Sequence, residues 1–249
     1  MTTPPGPGRV VLVGGGPGAV DLLTLRGRRA LTEADVVVAD RLGPVAVLDE
    51  LAPGVEVIDV GKAPGHHTVP QHEINAILVE QARRGRRVVR LKGGDPFVLG
   101  RGGEEVEACR AAGVPVEVVP GVSSALSVPA LAGIPVTHRG TAAGFHVTSG
   151  HDGLDALAVA CARDGAATLV VLMGVAVLGR IVAQALAAGA VAGTPVAIVE
   201  NGSTERQRTV RGSLGEIVAA AAAAGVRSPA VIVMGGVAAE DLLEGDARG

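Results

Sequence analysis

Short valine- and isoleucine-rich runs that alternate with helical segments constrain the fold of this chain more than any other feature. A strand built almost entirely from β-branched residues needs apolar cover on both faces, and a parallel sheet between two helical layers provides that cover. Segments of helical periodicity separate the runs, as successive β–α–β units require. The sequence therefore predicts an α/β fold, with a mostly parallel sheet and helices on each side in the first half.

The predicted elements fall into two halves that meet near the dipeptide Pro120–Gly121. The predicted strands are residues 9–13, 35–39, 55–60, 87–91 and 114–119 in the first half, and 145–148, 168–173, 196–199 and 230–234 in the second. The predicted helices are residues 22–33, 45–51, 71–84, 104–112, 123–131, 154–162, 178–188 and 216–224. We expect two α/β domains, residues 1–119 with the glycine-rich loops and residues 120–249, with a ligand cleft between them.

Composition argues against several classes of function. The formal net charge is -3, and Phe97 and Phe145 are the only aromatic residues, so neither charge nor base stacking favours nucleic-acid binding. Residues 181–199 carry no charge, but alanine, glycine and Thr194–Pro195 interrupt them, unlike a membrane span. The N-terminus lacks a basic segment followed by an apolar run, which is the mark of a signal peptide. We expect a cytoplasmic protein that binds neither nucleic acid nor membrane.

Neither histidine nor cysteine spacing indicates a metal site. The segment GHHTVPQHE at residues 65–73 matches no familiar set of zinc ligands. Cys109 and Cys161 lie in alanine-rich helical segments without a partner at metal or redox spacing. We expect no metal, and two cysteines that serve as small packing residues.

The first glycine-rich loop resembles a dinucleotide site but carries one unsuitable residue. Gly14, Gly16 and Ala19 fit the G-x-G-x-x-G/A fingerprint, and Asp40 lies 21 residues beyond Ala19, where a ribose-binding acid belongs. Pro17, however, has no N–H to offer to a pyrophosphate group. An NAD-dependent oxidoreductase remains an open alternative at this point.

The second glycine-rich loop, within RLKGGDPFVLGRGGEE at residues 90–105, places an acid where a phosphate site would have a lysine. Gly93 and Gly94 permit close approach of a ligand to the backbone, and Asp95 offers acceptor oxygens. This loop suits a ligand that combines a nucleoside, an amino acid and a cation, such as S-adenosyl-L-methionine. The alternative is a structural turn in which Asp95 caps the next segment.

Several segments together carry a resemblance to a known family. They are VVLVGGGPGAVDLLTLRGRRAL at residues 10–31, VPQHEIN at 69–75, the 90–105 segment, VPGVSSALSVPALAGIPVTHRG at 119–140, TSGHD at 148–152 and TLVVLMGV at 168–175. In this order the chain resembles the uroporphyrinogen-III C-methyltransferases of the tetrapyrrole methylase family. The resemblance implies a two-domain α/β fold, a homodimer, and S-adenosyl-L-methionine bound in the cleft.

Carried over position by position, the resemblance implies a set of cofactor contacts and a set of substrate contacts. The cofactor contacts would be Pro17, Gly93, Gly94, Asp95, Val98, Ser123, Ser124, Met173, Gly202 and Ala230. Since uroporphyrinogen III carries eight carboxylates, cations near the loops are expected to bind it, although each is equally compatible with an ordinary surface charge. These cations are Arg41, Lys62, Arg101, His138 and Arg139. Ala63 departs from the family pattern, which commonly has arginine there.

The reaction implied by the resemblance is methylation of a pyrrole carbon. The pyrrole is its own nucleophile, so catalysis would rest on alignment and charge stabilisation, with Arg101 among the charged groups. Asp40 and Asp95 are the candidates for accepting the proton that must leave after methylation. We expect two methyl transfers, to rings A and B, giving precorrin-2 for cobalamin or sirohaem synthesis.

Three alternatives remain. They are a methylase of a later corrin intermediate, an NAD-dependent oxidoreductase, and a sensing module that binds the cofactor without turnover.

Overall fold

The computed structural model describes residues 8–40, 43–61 and 69–243, and it divides into two compact units, Met1–Ser124 and Ala125–Gly249. Each unit contains one five-stranded sheet together with helices. The predicted α/β fold class is confirmed. The part of the chain that the structure describes has no helix long and apolar enough to cross a membrane.

The sheet of the first unit is entirely parallel, with the strand order β3-β2-β4-β1-β5. Its strands β1 to β5 are Arg9–Gly14, Val36–Ala39, Glu56–Asp59, Arg87–Lys92 and Val116–Val119. Its helices α1 to α3 are Leu25–Thr32, Gln71–Arg83 and Gly102–Ala111, and Val20–Leu22 and Val45–Glu50 form short 3-10 helices.

Both faces of the inner strands β1, β2 and β4 are buried, as the valine-rich runs predict. Val10 and Leu12 of β1 belong to a core that includes Leu78 of α2. Val11, on the opposite face of the same strand, belongs to a second core that includes Leu31 of α1. Alternate residues of one strand therefore pack into two different helical layers.

The strand order creates a switch point between β1 and β4. Strand β1 connects to β2, which lies beyond β4, whereas β4 connects to β5, which lies beyond β1. These neighbouring strands thus send their connections in opposite directions, and ligands of open α/β sheets bind outside the carboxyl ends of such strands. Both glycine-rich loops follow these two strands.

The second unit has the strand order β6-β7-β10-β8-β9. Strands β6 to β10 are Phe145–Ser149, Thr168–Leu172, Pro195–Glu200, Arg208–Ser213 and Ala230–Met234. Helices α4 to α7 are Ser124–Leu131, Ala156–Asp164, Leu178–Ala187 and Ile217–Ala223, and Val175–Val177 and Gly236–Ala238 form short 3-10 helices. Only β6 and β7 pair in parallel, while the remaining pairs are antiparallel.

The mostly parallel sheet expected for the first half is confirmed there, whereas the sheet of the second unit is mostly antiparallel. Ile198 of β8 packs in one core and Val199 in another, so the strand is buried on both faces although it runs antiparallel to its neighbours. Apolar runs report burial and not strand direction. Strand β9 was not predicted because its sequence, RTVRGS, is polar, as suits an edge strand paired only with β8.

Candidate active site

The two glycine-rich loops are joined by backbone hydrogen bonds at the carboxyl ends of β1 and β4. The Gly94 N–H donates to the Gly16 carbonyl at 2.7 Å, and the Gly16 N–H donates to the Gly94 carbonyl at 3.2 Å. The Gly15 N–H donates to the Lys92 carbonyl at 2.7 Å. The switch point is therefore lined by main chain from both loops.

A third loop, after β5, completes this junction and leaves no room for side chains. A Cβ atom placed on Gly121 would lie 2.3 Å from the Gly94 carbonyl oxygen and 2.6 Å from the Gly14 Cα. A Cβ atom on Gly14 would lie 2.5 Å from the Gly121 Cα. Gly14 and Gly121 require glycine because backbone approaches backbone closely there, and Gly94 favours glycine because its φ angle is 65°. We call Gly14, Gly94 and Gly121 the glycine junction.

Asp95 bridges two of these loops with its carboxylate. Its Oδ1 accepts from the Phe97 N–H at 2.8 Å, and its Oδ2 accepts from the Gly121 N–H at 3.1 Å. The first contact is the turn cap that the sequence allowed as an alternative, and the second ties the β4 loop to the β5 loop. Each carboxylate oxygen retains a further lone pair, so cofactor binding by Asp95 stays a prediction.

The segment after Asp95 is exposed and includes strained backbone. Phe97, Val98 and Leu99 are exposed apolar residues, and Leu99 and Arg101 have φ angles of 53° and 57°. Left-handed conformations of non-glycine residues are unfavourable and concentrate at functional sites. Met173, Asn201 and Ser203 are the other such residues in the described ranges. All five lie in loops after β4, β7 or β8.

Arg101 forms a two-pronged ion pair with Glu104. Its Nε and Nη2 donate to Glu104 Oε1 and Oε2 at 2.8 and 2.7 Å, and both side chains are about half exposed. The Arg101 hydrogen bond lowers the pKa of the Glu104 carboxyl. Glu104 was not among the predicted site residues. Its spacing of three from Arg101, at the start of α3, is the signal that could have identified it.

Asp40 lies at the edge of a buried ionic cluster. Its Oδ2 accepts from Arg90 Nη2 at 3.1 Å and its Oδ1 from the Gly93 N–H at 3.4 Å, while its side chain is 20% exposed. Arg90 Nε and Lys92 Nζ both donate to Glu105 Oε1 at 3.0 Å. Burial, followed by the charge of Arg90, lowers the pKa of Lys92. Sequence reasoning missed Arg90, Lys92 and Glu105 as members of one cluster.

In the second unit, the predicted cofactor contacts lie at the same end of three neighbouring strands. Met173 follows β7, Gly202 follows β8, and Ala230 begins β10, which lies between them. The antiparallel register brings the start of β10 beside the ends of both neighbours, with Ala230 opposite Glu200. A Cβ atom on Gly202 would lie 2.5 Å from the Val128 side chain, so this position also requires glycine.

The remaining predicted site residues are more scattered. Pro17 is half-buried beside Gly16, and Ser124 is close to the junction because a Cβ atom on Gly94 would lie 3.5 Å from its Oγ. Ser123 precedes α4. In the second unit, the His138 N–H donates to the Ala142 carbonyl at 3.0 Å, closing a turn that exposes Arg139. Arg41, Lys62 and the departure at Ala63 lie outside the described residues.

The structure does not supply the context that a dinucleotide fingerprint needs. The helix should begin within the glycine loop so that its N–H groups face the pyrophosphate. Here the loop leads to a three-residue 3-10 helix, and α1 begins only at Leu25. Within the described ranges, no group of three or more histidine, cysteine or acidic residues is placed to hold a metal ion.

Comparisons with known proteins converge on one family. The model of the Tetrapyrrole (Corrin/Porphyrin) Methylases matches residues 9–218. The chain is similar to the uroporphyrinogen-III C-methyltransferase of Methanocaldococcus jannaschii, at 47% identity over 233 residues, covering 92% of this chain and 96% of the relative. It is 48% identical to the siroheme synthase of Tolumonas auensis, covering 93% of this chain but only 50% of that protein. The chain thus spans about half the length of that relative.

A solved structure gives the same picture. The uroporphyrin-III C-methyl transferase from Thermus thermophilus, complexed with S-adenyl homocysteine, is 45% identical to this chain with a TM-score of 0.77. The match covers 92% of this chain and 98% of the solved one.

Proposed function

This chain belongs to the tetrapyrrole (corrin/porphyrin) methylase family, and we propose that it methylates uroporphyrinogen III twice, on rings A and B, to give precorrin-2. It is an S-adenosyl-L-methionine-dependent C-methyltransferase, as its relatives are. The observation that carries the proposal is the glycine junction at the switch point, where the β4 loop carries an aspartate and the first glycine-rich loop does not open a helix.

The described residues fit S-adenosyl-L-methionine. The cofactor has no phosphate, so it requires neither a lysine nor a row of N–H donors. At Gly94 an added Cβ atom would come no closer than 3.5 Å to another group, so the glycine leaves its main chain accessible to a ligand. Asp95 adds a carboxylate, which suits the cofactor's amino group and sulfonium. When bound, S-adenosyl-L-methionine supplies the methyl group as an electrophile and leaves as S-adenosyl-L-homocysteine.

We propose that the cofactor contacts are the residues that the sequence predicts. Those of the first unit are Pro17, Gly93, Gly94, Asp95, Val98, Ser123 and Ser124, and those of the second are Met173, Gly202 and Ala230. Support comes from their placement at strand ends and from the strained backbone at Met173 and beside Val98 and Gly202.

The substrate's carboxylates would bind to cations around these loops. Arg101 is held by Glu104 in an exposed pair, and such pairs contribute little to stability. A substrate carboxylate can therefore replace Glu104 on the Arg101 guanidinium at little cost in free energy. His138 and Arg139 on their exposed turn, together with Arg41 and Lys62, are proposed as further contacts.

Asp40 is the better of the two candidate proton acceptors. A pyrrole carbon that receives a methyl group leaves the ring with a positive charge, which is relieved when a proton departs. Asp95 is already proposed to bind the cofactor, whereas Asp40 has no such role. The Asp40 side chain remains 20% exposed and lies beside Gly93, at the start of the second glycine-rich loop. No protein nucleophile is required, which agrees with a wholly buried Cys109 whose pKa burial raises to about 11.

We also propose that the enzyme is a cytoplasmic homodimer whose product feeds cobalamin or sirohaem synthesis. The similarity to a siroheme synthase supports the second destination.

Anaerobic incubation with uroporphyrinogen III and methyl-labelled cofactor, followed by mass spectrometry, tests the proposed reaction. We expect a tetrapyrrole that has gained two labelled methyl groups. Tight cofactor binding in calorimetry without methyl transfer to uroporphyrinogen III would reject this substrate and indicate a later corrin intermediate or a sensor.

A further inference from the structure

Arg90 occupies a position where a purely structural sheet would carry an apolar residue. It lies on β4, the central strand of the first sheet, and its side chain is only 4% exposed. Its neighbours Val89 and Leu91 are buried in the opposite face. Withdrawing a guanidinium from water is costly, and buried ion pairs can often be replaced by apolar residues without loss of stability. Stability alone therefore does not account for Arg90.

The hydrogen bonds of Arg90 fix its guanidinium in one orientation. Nη1 donates to the carbonyl oxygens of Val38 and Leu91 at 3.3 and 2.8 Å. Nε donates to Glu105 at 3.0 Å, and Nη2 donates to Asp40 at 3.1 Å. The planar fork of arginine thus reaches two carboxylates at once, a geometry that lysine does not reproduce.

Glu105 anchors the far side of this arrangement. Its side chain is fully buried, and its Oε1 also accepts from Lys92 Nζ at 3.0 Å and Gln71 Nε2 at 3.3 Å. The contacts form a continuous chain from α3, through the central strand, to Asp40 at the carboxyl end of β2. Asp40 Oδ1 then meets the Gly93 N–H, at a longer 3.4 Å.

We propose that Arg90 is a positioning residue for methyl transfer, which holds the Asp40 carboxylate beside Gly93 in the orientation needed to take the substrate's proton. Glu105 fixes Arg90 from the opposite side. This inference rests on the proposed function and on Asp40 as the proton acceptor. Arg90 itself touches neither substrate nor cofactor in this account.

Arg90→Met and Arg87→Met form a matched pair of variants. Arg87 lies on the same strand and also pairs with an aspartate next to β2, Asp35, but at the exposed amino end. Arg90→Met leaves Glu105 paired with Lys92, so the fully buried carboxylate keeps a charged partner. We expect Arg90→Met to lower kcat about 100-fold, the cost of about 1 Å of misplacement, without changing the calorimetric affinity for S-adenosyl-L-methionine. Arg87→Met should leave kcat unchanged, and Arg90→Lys should restore part of the loss.

A double-mutant cycle with Asp40→Asn decides whether Arg90 acts through Asp40. Residues that act as a unit give non-additive losses, so Arg90→Met should cost nothing further in the Asp40→Asn background. Three results would overturn the inference. The losses in kcat could multiply in the double variant, or the Asp40→Asn variant could have a normal kcat. The third is a loss of cofactor affinity in both Arg90→Met and Arg90→Lys. If the wild-type enzyme transfers no methyl group to uroporphyrinogen III, the proposed function fails instead, and the two failures are distinguishable.

Discussion

Replacing Gly121 with alanine tests the glycine junction on which the proposed cofactor site is built. The new Cβ atom would lie 2.3 Å from the Gly94 carbonyl oxygen and 2.6 Å from the Gly14 Cα. Both neighbours are main-chain atoms, so no rotamer change relieves the contact, and one loop must shift. Overpacking of this kind costs about 1–3 kcal/mol, and we expect the upper end. At roughly 2–4 °C per kcal/mol, the melting temperature should fall by about 6–12 °C.

Gly103→Ala is the matched control within the same unit. Gly103 lies in α3, and a Cβ atom there would meet nothing within 4 Å. Because alanine is the better helix former, this variant should be neutral or stabilised by up to about 1 kcal/mol. Thermal melting with and without S-adenosyl-L-methionine provides the readout.

The gain in melting temperature on adding cofactor distinguishes a damaged cofactor site from a fold that is only less stable. At a ligand concentration of 100 times Kd, a native enzyme gains about 2.7 kcal/mol of stability. Wild type and Gly103→Ala should show this gain, and Gly121→Ala should lose most of it. If Gly121→Ala melts with the wild type and responds normally to the cofactor, the loops do not approach as closely as described and the reasoning is refuted.

Three further predictions follow from single contacts. Asp95→Ala should lose about 2–3 kcal/mol of stability, since it removes two hydrogen bonds to a carboxylate, and should weaken cofactor binding; an unchanged calorimetric Kd would argue against its role. The Arg208 hydrogen bond lowers the pKa of Glu200 below its usual 4.5, so this stabilisation is present above that pH and lost in acid. Glu200→Gln should therefore melt below the wild type at neutral pH, with a difference that vanishes in acid; a constant difference across a pH series would contradict this. Cys109, with a pKa of about 11, should resist alkylation at pH 8 until the protein unfolds; rapid labelling of the native protein would show otherwise.

Much of the first unit could be predicted from sequence because glycine residues mark the ends of its strands. Gly14 ends β1, and Gly93 follows β4, so the predicted and observed boundaries differ by one residue there. In the second unit, β8 and β10 were located correctly, but the sequence did not reveal that they pair antiparallel. A strand buried on both faces has the same apolar sequence whether it runs parallel or antiparallel to its neighbours. A polar edge strand such as β9 has almost no hydrophobic pattern by which to recognise it.

The candidate site was predictable to the extent that its residues lie in strand-end loops. The Gly93–Asp95 segment and Met173 fall at the carboxyl ends of strands, where ligands of such sheets bind. The cluster around Arg90 was not predictable, because Arg90 meets Asp40 across 50 residues and Glu105 across 15. Those contacts depend on β2 and β4 being neighbours, which is a property of strand order and not of local sequence.

Carbon-13 NMR of the product made with 13C-methyl S-adenosyl-L-methionine tests the central claim most directly. We predict two new labelled methyl carbons, one on ring A and one on ring B of the tetrapyrrole, formed from uroporphyrinogen III under anaerobic conditions. Label on any other ring, a single methyl group at completion, or no label in the tetrapyrrole would contradict it.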